Sequence, residues 1–318
     1  MFVVSFLHML AYSELLMRKL RYFWLSCRPK QWIKNTFLFL PLLFSGRLFD
    51  LSAWWKISTA FLVFCLVSSG VYLWNDVVDR KGDKSHPIKR LRPIASGKFS
   101  SSLALMAFVV LVVSALLIAF SLEKLYGFVI LLYLGANFLY TVWFKKVVLL
   151  DVFSFAMFFV LRIVGGLFVL KVSFSYWMLI LVALLALFLA LNKRRYELVK
   201  LAKKARWHRG VLDHYDPYLI DQFCSAIVGA IVVIYCIFTI DSQQVIKFGS
   251  HNMVFSIPFV FYGLFRYQYL VLRRGRGGDP AEIILSDRGM IWNIVLWAVV
   301  CSLAIYTRTE WIPIQVMS

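Results

Sequence analysis

The sequence predicts an all-α integral membrane protein with about nine transmembrane helices. Three observations predict it. The 318 residues are 61% hydrophobic with a mean hydropathy of +0.77, whereas an ordinary soluble domain is about half apolar. Runs of about 20 apolar residues recur, the length that carries a helix across a bilayer. The Lys and Arg that give a net charge of +19 gather in alternate loops, as they do when basic loops stay on the cytoplasmic side. A β-barrel is excluded because its strands alternate polar and apolar positions, and these runs do not. Charge placed between spans speaks for topology, so no nucleic-acid partner is expected.

Taken in order, the elements begin with residues 1–25, "MFVVSFLHMLAYSELLMRKLRYFWL". This stretch lacks the charged start and small-residue cleavage site of a secretory signal. It reads as a helix lying in the interface, with Arg18, Lys19 and Arg21 at headgroup level. Residues 26–318 follow as a single transmembrane domain, with candidate spans at 33–50, 54–76, 102–120, 125–143, 149–170, 174–192, 218–240, 252–271 and 290–307. Pro41, Gly46 and Arg47 interrupt the first of these. With the N-terminus inside, segments 1–32, 77–101, 144–148, 193–217 and 272–289 are cytoplasmic and hold most of the 35 Lys and Arg. The opposite loops carry single basic residues such as Lys56, Lys124 and Lys171. The expectation is a multi-pass protein of the plasma (inner) membrane, with its chemistry on the cytoplasmic face. Cys27, Cys65, Cys224, Cys236 and Cys301 are scattered, without a CxxC or Cys/His cluster. Neither a disulfide framework nor a zinc site is expected.

The end of the second span reads "WNDVVDRKGDKSHPIKRLRPIASGK". Asn75, Asp79 and Asp83 are spaced i, i+4, i+8 and line one helical face. Asp76 sits one position over and reaches the same place. Such a group repels itself unless a cation is present. Oxygen ligands in this number suit Mg²⁺, which takes one or two carboxylates and fills its shell from water and substrate phosphates. A Mg²⁺-diphosphate is the natural guest, and Asp76, Asp79 and Asp83 are the candidate catalytic residues. Lys81, Lys84, Lys89, Arg90 and Arg92 are placed to hold phosphate oxygens. Pro87, Pro93 and Gly97 give the loop a definite shape. The plainer alternative is a solvated loop whose acids pair with neighbouring bases.

The motif NDxxDxxxD followed by "HPIKRLRPIASG" resembles the UbiA superfamily of intramembrane prenyltransferases. Five further segments resemble its decaprenyl-phosphate phosphoribosyltransferase subgroup: "RPKQWIKN", "YTVWFKKVVLLDV", "FVLRIVGG", "NKRRYEL" and "DPAEIILSDR". The resemblance runs from about residue 26 to residue 307. It implies helices around a central cavity open to the cytoplasmic side, Mg²⁺ as cofactor, and Lys30 and Lys34 as substrate contacts. It is also compatible with a homo-oligomer.

Most members of the superfamily carry a second acidic motif, DxxxD, after the sixth span. Here the sequence reads "NKRRYELVKLAKKARWHRGVLDHYDPYLID". Lys193, Arg194 and Arg195 are followed by Glu197 alone, and Asp213, Asp216 and Asp221 come later at other spacings. A basic cluster suits a phosphate monoester, and an acidic pair suits a Mg²⁺-diphosphate. The alternative for Lys193–Arg195 is a positive-inside anchor. Arg162 lies mid-span, where a charge needs a cavity or a partner. It is read as a phosphate contact or, alternatively, as part of a packing ion pair. Asp151 is a candidate ligand or a helix-start acid favoured by the dipole. Tyr140 and Lys145 are candidate contacts, or else an interfacial aromatic and a snorkelling lysine.

The resemblance implies transfer of 5-phosphoribosyl from phosphoribosyl pyrophosphate to a polyprenyl phosphate, with release of pyrophosphate. An alternative is a prenyltransferase that moves a prenyl group from its diphosphate to an aromatic or other small acceptor. The missing DxxxD separates the two. A non-enzyme alternative is a transporter or lipid-binding membrane protein, against which stands the lack of paired discontinuous spans.

Overall fold

A computed structural model of the chain describes residues 14, 17–85, 89–173, 175–201, 214–274, 280–307 and 311. Among them the ordered elements are helices, without a strand. The long helices are α1 (Leu51–Val78), α2 (Ser101–Leu122), α3 (Lys124–Val142), α4 (Leu150–Leu170), α5 (Tyr176–Leu201), α6 (Pro217–Ile240), α7 (Ile257–Arg274) and α8 (Arg288–Tyr306). Seven of them, all but α7, are long and apolar enough to cross a membrane.

Local sequence sets their ends. The Ser100 side chain accepts from Leu103 N–H at the start of α2. Asp216 does the same for Leu219 N–H at the start of α6, where Pro217 occupies the first turn, and Asp287 for Met290 N–H at the start of α8. Helix α4 stops where Lys171 turns left-handed. Helix α5 runs on past Glu197, so Lys193 to Glu197 lie on one continuous helix.

Two expected spans take another form. Residues 33–50 are not one helix: a 3₁₀ segment, Pro29–Phe39, leads into the short helix Leu40–Phe44. Pro41 has no N–H to continue a ladder, and the chain turns away at Gly46, whose φ of 76° suits glycine. Residues 252–271 become a 3₁₀ turn, Asn252–Ser256, followed by α7. Arg266, Arg273 and Arg274 make α7 too charged to count with the apolar spans. Of the interfacial helix expected over 1–25, residues 17–27 are helical, and 1–13, 15 and 16 lie outside the described residues. So do His86, Pro87 and Ile88, and residues 202–213 of the long basic loop.

The chain forms two compact units: Met1–Thr36 with Ser58–Thr141, and Phe37–Ile57 with Val142–Ser318. In the first, the Tyr126 hydroxyl donates to the Ala60 carbonyl at 2.8 Å, and Phe64 packs edge-on against Tyr133. The 3₁₀ segment lies along α1: Trp32 Nε1 donates to Ser69 Oγ at 3.0 Å, and Asn35 Nδ2 to Ser68 Oγ at 3.3 Å. In the second, α4, α5 and α6 pack around a core that includes Phe188, Ile220, Phe238 and Leu270. Gly166 on α4 admits the Leu38 carbonyl so closely that a Cβ would lie 2.6 Å from it.

Candidate functional site

The first unit gathers acids and bases at the end of α1. Helical hydrogen bonding continues past the helix end: Asp79 N–H donates to the Asn75 carbonyl and Asp83 N–H to the Asp79 carbonyl, both at 2.8 Å. The acidic motif therefore keeps helical register. The acids bridged by one base are not neighbours on the expected ladder. Each residue turns a helix by about 100°, so i, i+8 drifts by about 80°, while i, i+7 falls back by only about 20°. Asp76 and Asp83, seven apart, are the pair brought together. Arg92 Nη1 donates to Asp76 Oδ1 at 3.0 Å and to Asp83 Oδ2 at 2.6 Å.

The loop that returns Arg92 is anchored and shaped. Ile94 and Phe99 are buried in the small core with Cys27 and Leu73. Gly97 takes φ 77°, and Phe99 N–H donates to the Pro93 carbonyl at 3.0 Å. Lys89 and Arg90 sit on the 3₁₀ turn Lys89–Leu91, half-buried and exposed respectively.

Two further members were not singled out in the sequence. Arg28 Nη2 donates to Asp76 Oδ1, and its guanidinium lies 4.9 Å from the Tyr72 ring centre. Arg28 opens the segment "RPKQWIKN", whose place before a proline was its only signal. Thr141 Oγ1 donates to Asn75 Oδ1 at 2.5 Å. Asp79 and Tyr140 are half-buried. Lys30 is exposed, and Lys34 Nζ donates to Gln31 Oε1 at 2.5 Å.

These donors fit a hard divalent cation. Two buried carboxylates already converge on one positive nitrogen of Arg92. Among the described residues no three His, Cys, Asp or Glu side chains converge as a cation site. Two carboxylates are the share of ligands that Mg²⁺ takes from a protein, the rest coming from water and substrate phosphates.

The second unit holds a different cluster. Arg194, on α5, donates through Nε to Asp151 Oδ2 and through Nη1 to Glu197 Oε2, both at 2.6 Å. The Tyr215 hydroxyl donates to Asp151 Oδ1 at 2.8 Å and accepts from Leu149 N–H at 2.8 Å. Burial, above all, pushes the Tyr215 phenol up, which keeps it protonated as the donor. Arg195 is held by both oxygens of Asp221, at 2.5 and 3.0 Å. Lys193 lies with its Nζ 5.5 Å from the Phe155 ring centre. Arg162 is buried in α4, donates to the Phe158 carbonyl at 2.6 Å and sits 5.6 Å from the Phe159 ring centre. Lys145 lies half-buried on the 3₁₀ turn Phe144–Lys146. Tyr215 and Asp221 are the members not anticipated here.

The pattern of the UbiA prenyltransferase family matches residues 38–283. A decaprenyl-phosphate phosphoribosyltransferase from Mycolicibacterium smegmatis is 31% identical over 298 residues, spanning 88% of this chain and 91% of that protein. One from Corynebacterium glutamicum is 30% identical, spanning 88% and 86%. The solved structure of a UbiA homologue from Archaeoglobus fulgidus bound to DMAPP and Mg²⁺ superposes with a TM-score of 0.68 at 15% identity, covering 89% of this chain and 98% of that one.

Proposed function

The chain belongs to the UbiA prenyltransferase family, and on that premise we propose that it transfers 5-phosphoribosyl from phosphoribosyl pyrophosphate to a polyprenyl phosphate, releasing pyrophosphate. One observation carries the reading: the two clusters divide their charge. The first unit offers paired acids, Asp76 and Asp83. Among the described residues between α5 and the first turns of α6, Asp216 caps α6 and Asp221 holds Arg195, while Lys193 and Arg195 stay partly accessible. That pattern suits one diphosphate donor and one lipid-phosphate acceptor. Likeness to relatives named decaprenyl-phosphate phosphoribosyltransferases along most of the chain supports it.

Mg²⁺ would be held by Asp76 and Asp83, with Asp79 and Asn75 beside them, and when bound it neutralises charge on the leaving pyrophosphate. Arg28 and Arg92, with Lys89 and Arg90, would contact phosphate oxygens of the donor. Lys193, Arg195 and Lys145 hold the acceptor phosphate. An oxygen of that phosphate forms the bond to the anomeric carbon as the bond to pyrophosphate breaks. The nucleophile is already anionic and needs no general base, so catalysis rests on positioning and electrostatics. We place both clusters on the cytoplasmic side of the plasma membrane, where their basic loops belong.

The test is incubation of the purified protein with labelled phosphoribosyl pyrophosphate, Mg²⁺ and polyprenyl phosphate, followed by lipid extraction. Label is expected in the organic phase. Prenylation of an aromatic acceptor from a prenyl diphosphate, with phosphoribosyl pyrophosphate left untouched, would overturn the reading.

A further inference from the structure

Leu149 adopts φ 65° and ψ −39°, a backbone region that a residue with a Cβ avoids unless its surroundings impose it. Its carbonyl accepts from Val152 N–H and Phe153 N–H, at 2.9 and 2.8 Å, and so starts α4. Its own N–H points the other way, to the Tyr215 hydroxyl at 2.8 Å. That same hydroxyl donates to Asp151, whose second oxygen is taken by Arg194. Tyr215, Asp151 and Arg194 are all buried. The strained turn is therefore tied at one point to the first turn of α4, to α5 and to the segment leading into α6.

Upstream of Leu149 the chain is short and tight. Lys146 N–H donates to the Trp143 carbonyl at 2.9 Å, Val147 N–H to Phe144 at 3.1 Å, and Asp151 N–H to Val147 at 3.2 Å. The turn that carries Lys145 thus lies four residues before Leu149, and Asp151, two residues after it, is tied back to Val147. We propose that Tyr215 is a positioning residue for a substrate phosphate: its hydroxyl clamps the left-handed turn at Leu149 and thereby fixes Lys145. The role of Lys145 rests on the function proposed above; the clamp itself does not.

The test is Tyr215→Phe, which removes one oxygen. Hydrogen exchange of peptides covering 143–152 is expected to quicken by about tenfold, with the interior of α4 unchanged. The KM for polyprenyl phosphate is expected to rise roughly fivefold to tenfold, with kcat within about twofold. In a Lys145→Ala background the substitution adds nothing further to KM, which a loss of general stability would not reproduce. If Tyr215→Phe does not fold alone, it is made in a Leu149→Gly background, where glycine adopts the turn freely; there the clamp predicts no further quickening over 143–152, and a quickening overturns it. With Leu149 in place, unchanged exchange over 143–152 overturns the clamp. A KM that rises equally in both backgrounds, or a Lys145→Ala variant with unchanged KM, overturns the positioning role. If the wild-type protein transfers no phosphoribosyl group, the proposed function fails, and the clamp is then decided by exchange alone.

Discussion

Both clusters contain a buried aspartate facing arginine, yet they are built for opposite ends. In the first unit the Asp76 side chain is 3% exposed while its partners Arg28 and Arg92 are 27% and 28% exposed. In the second, Asp151 and Arg194 are 0% and 1% exposed. An ionised carboxylate out of water is costly without a counter-charge. Where the base is reachable from solvent, another cation can take its place and free the guanidinium for an anion. Where both partners are sealed, the pair can only hold helices in register. The difference is one of access: the bases of the first pair can be reached from solvent, and neither partner of the second can.

The sharpest way to break this contrast is to remove an acid of the open cluster. Asp83→Asn should lower kcat/KM by about a thousandfold, since the cation at the leaving group supplies several kcal/mol. Its helical circular dichroism should match wild type. A loss under tenfold would put the cation elsewhere. The locked Asp151–Arg194 pair should answer in stability instead. Arg194→Met leaves Asp151 buried without its charge partner and should cost about 3–5 kcal/mol, read as a lower thermal unfolding midpoint in detergent. Equal stability would mean that the pair is not locked.

Smaller effects sharpen the division of labour. Arg92→Gln removes a charge-assisted contact of about 1.5–3 kcal/mol, so KM for phosphoribosyl pyrophosphate should rise roughly 10- to 150-fold with KM for the lipid nearly unchanged. Lys193→Ala should do the reverse on a smaller scale, raising KM for polyprenyl phosphate by about two- to tenfold. Matching shifts in both constants for either variant would blur the two clusters into one.

Much of this was legible in sequence because it is local. Seven of the nine apolar runs are helices of spanning length among the described residues, and helical spacing placed Asn75, Asp76, Asp79 and Asp83 at one helix end. Hydropathy could not register what Pro41 does to 33–50, nor how three arginines alter α7. The i, i+4, i+8 ladder marked Asn75, Asp79 and Asp83, whereas Arg92 bridges the i, i+7 pair Asp76 and Asp83. The partners were the hidden part. Arg28 lies 48 residues from Asp76, Thr141 lies 66 from Asn75, Tyr215 lies 64 from Asp151, and Asp221 lies 26 from Arg195. No local pattern links residues so far apart; only the packed helices do. Arg194 shows the consequence. In sequence it stands beside Lys193 and Arg195 as one basic cluster, yet in the fold it is sealed against Asp151.

The exchangeable cation is tested most directly by titrating Mn²⁺, as a paramagnetic stand-in for Mg²⁺, into the purified protein and following the free ion by electron paramagnetic resonance. Wild type and Asp151→Asn should each bind the ion and release it to excess Mg²⁺, while Asp83→Asn should bind neither. Undiminished Mn²⁺ binding by Asp83→Asn, or its loss in folded Asp151→Asn, would contradict the assignment of the cation to the open cluster.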